Sequence, residues 1–288
     1  MRIGMGERIF HGINYALLAI AGLVCILPLI HIAALSLSGN TAIATGKVGF
    51  WPIEPSLLAY RTMIEGTNVL QAFRNSIVIT LFGTALNMAF TVLAAYPKHF
   101  YFRRTLTLAI VFTMLFKAGL IPEYLLAKSL GLVGHYGALW LPGLISVYNL
   151  LLLRTFFANI PEELEDAARI DGAGEWRLIF RIVLPLSVPV LATLTLFYAV
   201  AHWNSFFNVM IYIHDTSKFN LSVLVQNMIR SSSVLTEMSN MNPDEYTKLT
   251  PEAVKSASVI VMTLPMLIVY PFMQKYFVKG VMLGAIKG

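Results

Sequence analysis

A chain of 288 residues that is 57% hydrophobic and only 12% charged, with a mean hydropathy of +0.70, needs an apolar solvent, since a soluble domain carries about 25% charged residues. The length allows about six crossings of roughly 20 residues each and leaves no room for a second, soluble domain, so a single membrane domain over 1–288 is expected. The net charge of +6 does not point to nucleic acid, because the basic residues are not gathered into one stripe; in a membrane protein it reports orientation.

Charges punctuate the chain, and the gaps between them are the predicted spans. Nothing between Arg8 and Lys47 is charged, and the apolar stretch from about Gly12 to Leu37 is too long for the core of a cleaved signal peptide. A retained first span is expected there, with Cys25, the only cysteine, as a small buried hydrophobe. Span two is Asn75 to Tyr96. The run from Thr105 to Phe116 is short for a hydrocarbon core of about 30 Å. Span three is therefore expected to begin near Tyr101, with Arg103 and Arg104 snorkelling to the interface, and to end near Leu120 before a break at Pro122. Span four is Tyr136 to Leu153, span five lies between Arg181 and Asp215, and span six is Ser256 to Gln274.

Six spans place both termini on one side. The loops of that side carry 12 Lys and Arg, against seven in the longer loops opposite, with Arg74 and Lys255 at span ends. The termini are therefore expected in the cytoplasm. Two loops exceed a mere connection: a cytoplasmic one over about 160–185 and an external one over about 214–254, the latter with Asp215, Glu237, Asp244, Glu245 and Glu252.

The cytoplasmic loop reads as two helices. Pro161 suits a helix start, and Glu162, Glu163 and Glu165 complement the dipole of the helix that follows. Leu164, Ala167, Ala168 and Ile170 form a small apolar face, and Gly172 and Gly174 are expected to end the helix. Trp176, Ile179, Phe180 and Val183 mark a second amphipathic helix, and Pro185 the start of span five. Small side chains flanked by carboxylates let another protein approach closely and offer partners to its Arg or Lys. A solvated hairpin that only joins two spans has the same chemistry.

The motif spacing is more specific. Asp166-Ala167-Ala168, then Gly172 after three residues, then Ile182-Val183-Leu184-Pro185 after nine more, resembles the cytoplasmic signature of permease subunits of ATP-binding-cassette importers. Asp166 stands where that family usually has Glu, which leaves Glu165 or Asp171 to share the contact. The continuation to Pro189, the ending from Lys275 to Gly288, Gly119 to Pro122 and His202 to Asn208 are similar to the carbohydrate-importer branch, in its MalG-like, LplC-type group, whose relatives include alginate importers. The resemblance implies an all-α, multi-pass protein of the bacterial inner membrane with six transmembrane helices and the type I importer permease fold. It implies a second six-span permease subunit, two ATP-binding subunits that hold ATP and Mg, an extracytoplasmic solute-binding protein, and a carbohydrate substrate, an oligosaccharide of alginate type among the candidates. Glu165, Asp166, Ala167, Ala168, Arg169, Asp171 and Gly172 would then form the coupling helix that docks an ATPase subunit. This chain has no phosphate-binding G-x-x-x-x-G-K-[ST] loop, so no ATP or other cofactor is expected on it.

Polar groups inside spans are paired or line a wet cavity. Asn87, Tyr148, Asn149, Tyr198, His202, Trp203 and Asn204 are the candidates, since aromatic faces stack on sugar C–H surfaces and amides bond hydroxyls. Hydrogen bonding between helices and interfacial anchoring are the alternatives for each. No zinc-ligand spacing and no G-x-S-x-G elbow occur, so an enzyme is not expected. The competing reading is an ion-gradient-driven secondary transporter of a polar solute. It lacks an intramembrane carboxylate, with Glu123 placed outside the break at Pro122.

Overall fold

The computed structural model describes residues 4–96, 103–230 and 250–285. The predicted start of span three at Tyr101, and Glu237, Asp244 and Glu245 of the external loop, lie outside the described residues. Among the described residues the regular structure is helical throughout. Among the described residues, three helices are long and apolar enough to cross a membrane, and two bent pairs bring the number to five if each counts as one span. The chain falls into two compact units, Met1–Val69 with Val225–Leu264, and Leu70–Leu224 with Pro265–Gly288.

In the first unit, α1 (Met5–Ser36) covers the predicted first span and is long and apolar enough to cross a membrane, and Phe10, Leu17 and Val24 along it are all exposed. A helix apolar all round needs lipid or another protein around it. Its end is anchored by polar bonds. Tyr60 of α3 (Leu58–Gly66) donates to Ser36 Oγ at 2.8 Å, and the Ile53 N–H donates to Ser38 Oγ at 3.1 Å. Asn40, at the start of α2 (Asn40–Ala44), accepts from the Thr250 N–H at 3.2 Å.

In the second unit, α4 (Val69–Ala95) and α12 (Val188–Trp203) meet through side-chain hydrogen bonds of Thr91 with Tyr198 and Asn87 with His202. Along α4 the residues Ile79, Gly83, Asn87, Thr91 and Ala95 recur every fourth position and so share one ridge. Along α12 the residues Val190, Leu194, Tyr198 and His202 do the same. The two ends of the pair are apolar. Ile79 packs in one cluster with Leu139, Val209 and Val223, and Ala95, Val190 and Leu194 pack in another with Leu153 and Phe157. Between these clusters lies a polar layer of Asn87, Thr91, Tyr198 and His202.

Three predicted spans differ from the structure. Span three is α5 (Arg103–Leu115) and α6 (Leu120–Ser129), bent by 114°. The break comes at Gly119, whose φ of +88° only glycine adopts without strain. Pro122 is not at the break but sits in the first turn of α6, where its missing N–H has no helical partner to lose. Span four, expected over Tyr136–Leu153, is interrupted: α7 (Gly137–Trp140) is followed by an irregular stretch with Pro142 and Gly143, then by α8 (Val147–Ala158). Twelve residues rise about 18 Å, short of the hydrocarbon core. Within the stretch from Arg181 to Asp215 expected to hold span five, the long helix starts at Val188, three residues after the expected entry at Pro185. The residues before it form α10 (Glu175–Leu178), a π turn (Ile179–Val183) and α11 (Leu184–Leu186), bent by 84° against α12. Pro185 cannot donate to the carbonyl of Arg181, and the wider π turn accommodates that loss. Beyond α12 lie α13 (Phe206–Tyr212) and a 3₁₀ turn (Thr216–Lys218). Asp215 caps that turn by accepting from the Ser217 hydroxyl and N–H, which holds its carboxyl below the ordinary carboxylate value. The chain continues through α14 (Leu221–Arg230), and span six belongs to the longer helix α15 (Pro251–Ala285).

Candidate functional site

Within the second unit, the polar layer opens onto a cavity of about 420 Å³, in the range of small-molecule sites. Asn87, Asn149, Tyr198 and His202 all line it. Their bonds define what each contributes. The Asn87 amide donates to the carbonyls of Gly143 and Leu144 at 2.6 and 2.9 Å, so its oxygen is left to accept from His202 Nε2 at 2.6 Å. This fixes the proton on Nε2, because both amide hydrogens are already engaged. Tyr198 Oη shares a hydrogen with Thr91 at 2.7 Å and accepts the Ser146 N–H at 3.1 Å. The irregular stretch of span four is thus tied down by side chains of α4 and α12, which supply the backbone partners a helix would otherwise provide.

Gly83 makes this approach possible. A Cβ there would lie 2.5 Å from His202 Nε2 and under 3 Å from two more ring atoms. The helix can come close to the imidazole only without a side chain at that position.

The remaining candidates lie elsewhere. Trp203 is 5% exposed and packs edge-on to Phe73 at 6.0 Å, outside the cavity. Asn204 turns its amide back to the Val200 carbonyl at 3.0 Å, and Tyr148 is 60% exposed away from the lining. Sequence reasoning missed Glu123, Ser146, Ser205, Asn208 and Tyr212, which complete the polar lining. A break at Pro122 would leave Glu123 outside the path. The structure brings it into the cavity wall, in the first turn of α6. The signal for Asn208 was its i, i+4 relation to Asn204, on a segment that the structure splits into two helices.

The unit also carries the elbow. α9 (Glu162–Ile170) opens with three carboxylates in its first turn. It ends in a glycine cap: Gly172 has φ +76°, and the Ala173 N–H returns to the Ala168 carbonyl at 2.9 Å. Gly174 does not share in that ending, since it is extended and caps the start of α10 instead. Arg169 pairs with Glu175 across the elbow at 2.7 Å. Leu164, Ala167 and Ile170 are exposed, as are Asp166 and Asp171. Trp176 and Phe180 are exposed too and stack at 6.1 Å. Glu165 is 5% exposed, so it turns away from the face that Asp166 and Asp171 present. An apolar face turned outward at a capped, acidic elbow is a surface built to be covered.

Comparison with known proteins settles the family. Residues 101–283 match the family described as binding-protein-dependent transport system inner membrane component. The chain belongs to this family. It is the permease subunit of an ATP-binding-cassette transporter, a component of the inner membrane, and not itself an enzyme. The permease is 40% identical to the polygalacturonan/rhamnogalacturonan transport system permease protein YtcP of Bacillus subtilis (strain 168), over 99% of this chain and 100% of that one. It is 40% identical to the protein LplC of the same organism, over 98% and 96% of the two chains. It superposes with a TM-score of 0.84 on a chain of a bacterial transporter involved in the import of the acidic polysaccharide alginate, at 30% identity over 95% of this chain and 98% of that one.

Proposed function

We propose that the permease passes an oligosaccharide through the cavity between α4, α6 and α12, and that ATPase subunits drive it through the elbow from Glu162 to Leu186. The single observation that carries this reading is the outward apolar face of α9, with Ile170 86% exposed beside the glycine cap. ATP and Mg are held by the two partner ATPase subunits, for which this chain has no binding loop. A second six-span permease subunit completes the path, an extracytoplasmic binding protein delivers the substrate, and both termini lie in the cytoplasm. The amides, hydroxyls and aromatic faces of the lining suit sugar hydroxyls and C–H surfaces. Uronate-containing oligosaccharides of pectin or alginate type are the first candidates, from the names of the relatives. Among the described residues the lining offers amides, hydroxyls and the Glu123 carboxylate, which suit sugar hydroxyls.

The test is uptake of galacturonate oligosaccharides by proteoliposomes containing the whole complex and its binding protein. Uptake that requires ATP and persists when ion gradients are collapsed is expected. Uptake that follows a proton or sodium gradient without ATP would sink the proposal.

A further inference from the structure

The elbow joins α12 through the chain itself. It also touches the end of α4 by a route that its motif does not include. The carboxylate of Glu175, the first residue of α10, has both oxygens engaged. Oε1 takes the Arg169 guanidinium at 2.7 Å, and Oε2 accepts the Tyr96 hydroxyl at 2.7 Å. Arg169 belongs to the last turn of α9. Tyr96 extends α4 by one more turn bond, its N–H reaching the Val92 carbonyl at 3.0 Å. The same end of α4 is held by packing, because Ala95 lies in one buried cluster with Val183 of the π turn. From Ala95 the ridge of α4 runs through Thr91 and Asn87, whose side chains bond Tyr198 and His202 of the cavity wall.

We propose that Glu175 is a positioning residue that clamps Arg169 of the docking helix to Tyr96, so that a displacement of α9 reaches the cavity along α4 as well as along α12. The pair of Arg169 and Glu175 is half exposed, and a surface ion pair contributes little to stability. Its value is directional: one carboxylate holds two donors from two helices in a fixed geometry, which a hydrophobic contact would not. The inference rests on the reading of α9 as the docking helix.

The experiment is amide hydrogen exchange on the assembled complex in nanodiscs, nucleotide-free and trapped with ATP, Mg and vanadate. In the wild type, trapping is expected to change protection in peptides covering both 88–96 and 186–196. In Tyr96→Phe and in Glu175→Gln the change over 88–96 is expected to fall about fivefold, while that over 186–196 stays. The double variant is expected to match either single one, since all three break one chain of contacts. A full response over 88–96 in the single variants would overturn the inference, as would losses that multiply in the double variant. A response lost equally in both peptides would overturn it too, because that is the mark of general loosening. The docking reading has its own arm. Ala167→Trp is expected to prevent co-purification of the ATPase subunits; if they remain bound, the docking reading fails whatever Tyr96→Phe does.

Discussion

The two halves of α12 meet opposite chemistry. At its N-terminal end, Pro185, the π turn and the bend at Ser187 turn the chain out toward an elbow where Leu164, Ile170, Trp176 and Phe180 face outward while Leu178, Ile179 and Val183 are buried. Towards its C-terminal end, Tyr198 and His202 face inward, and each is hydrogen-bonded to residues of the same unit. The elbow turns apolar side chains outward, whereas the polar side chains of the cavity wall bond to one another and to nearby backbone. On the proposed docking, this division gives one surface for another protein to grip and one wall held by its own hydrogen bonds.

Substitutions can break that contrast. The largest effect is expected from Trp203→Ala, which removes a buried ring packed on Phe73. Truncating a buried aromatic costs about 3–5 kcal/mol, so the complex should melt earlier, with basal and substrate-stimulated ATPase falling together. A selective loss of stimulation would move Trp203 into the substrate path. Gly83→Ala is expected to cost less, about 1–3 kcal/mol for overpacking. It should also displace His202, read by NMR of a histidine-labelled complex as a shifted imidazole resonance. An unshifted resonance would mean that α4 yields instead of the ring. Tyr198→Phe is the mildest. It leaves the Ser146 N–H and the Thr91 hydroxyl without that partner, at about 1–2 kcal/mol. Faster exchange confined to the stretch around Ser146 is the expected sign, and unchanged exchange there would show that the stretch is held by something else.

The helical class, the first span and the glycine elbow were legible in the sequence because each rests on local chemistry. An uncharged apolar run, a positive φ that needs glycine and a motif at fixed spacing are properties of neighbouring residues. The breaks were less legible. Pro122 was read as a terminator, but a proline in the first turn of a helix loses no bond, and Gly119 makes the break instead. That shift of three residues is what hid Glu123 from the cavity. Span four read as continuous because Tyr136–Leu153 is uncharged, and nothing local shows that its irregular carbonyls are met by Asn87 from a distant helix. Glu165 read as a docking carboxylate from its place in the motif. Its burial depends on which side of α9 the rest of the unit covers, and a nine-residue helix does not state that in its own pattern.

Gly172→Val tests the central claim most directly. At φ +76° a β-branched residue is strained, so the cap opens and the angle between α9 and α10 is lost, while the cavity wall is untouched. The measurement is oligosaccharide transported per ATP hydrolysed by the reconstituted complex. Normal membrane insertion with that ratio reduced about tenfold or more is expected, and a wild-type ratio would contradict the proposed role of the elbow.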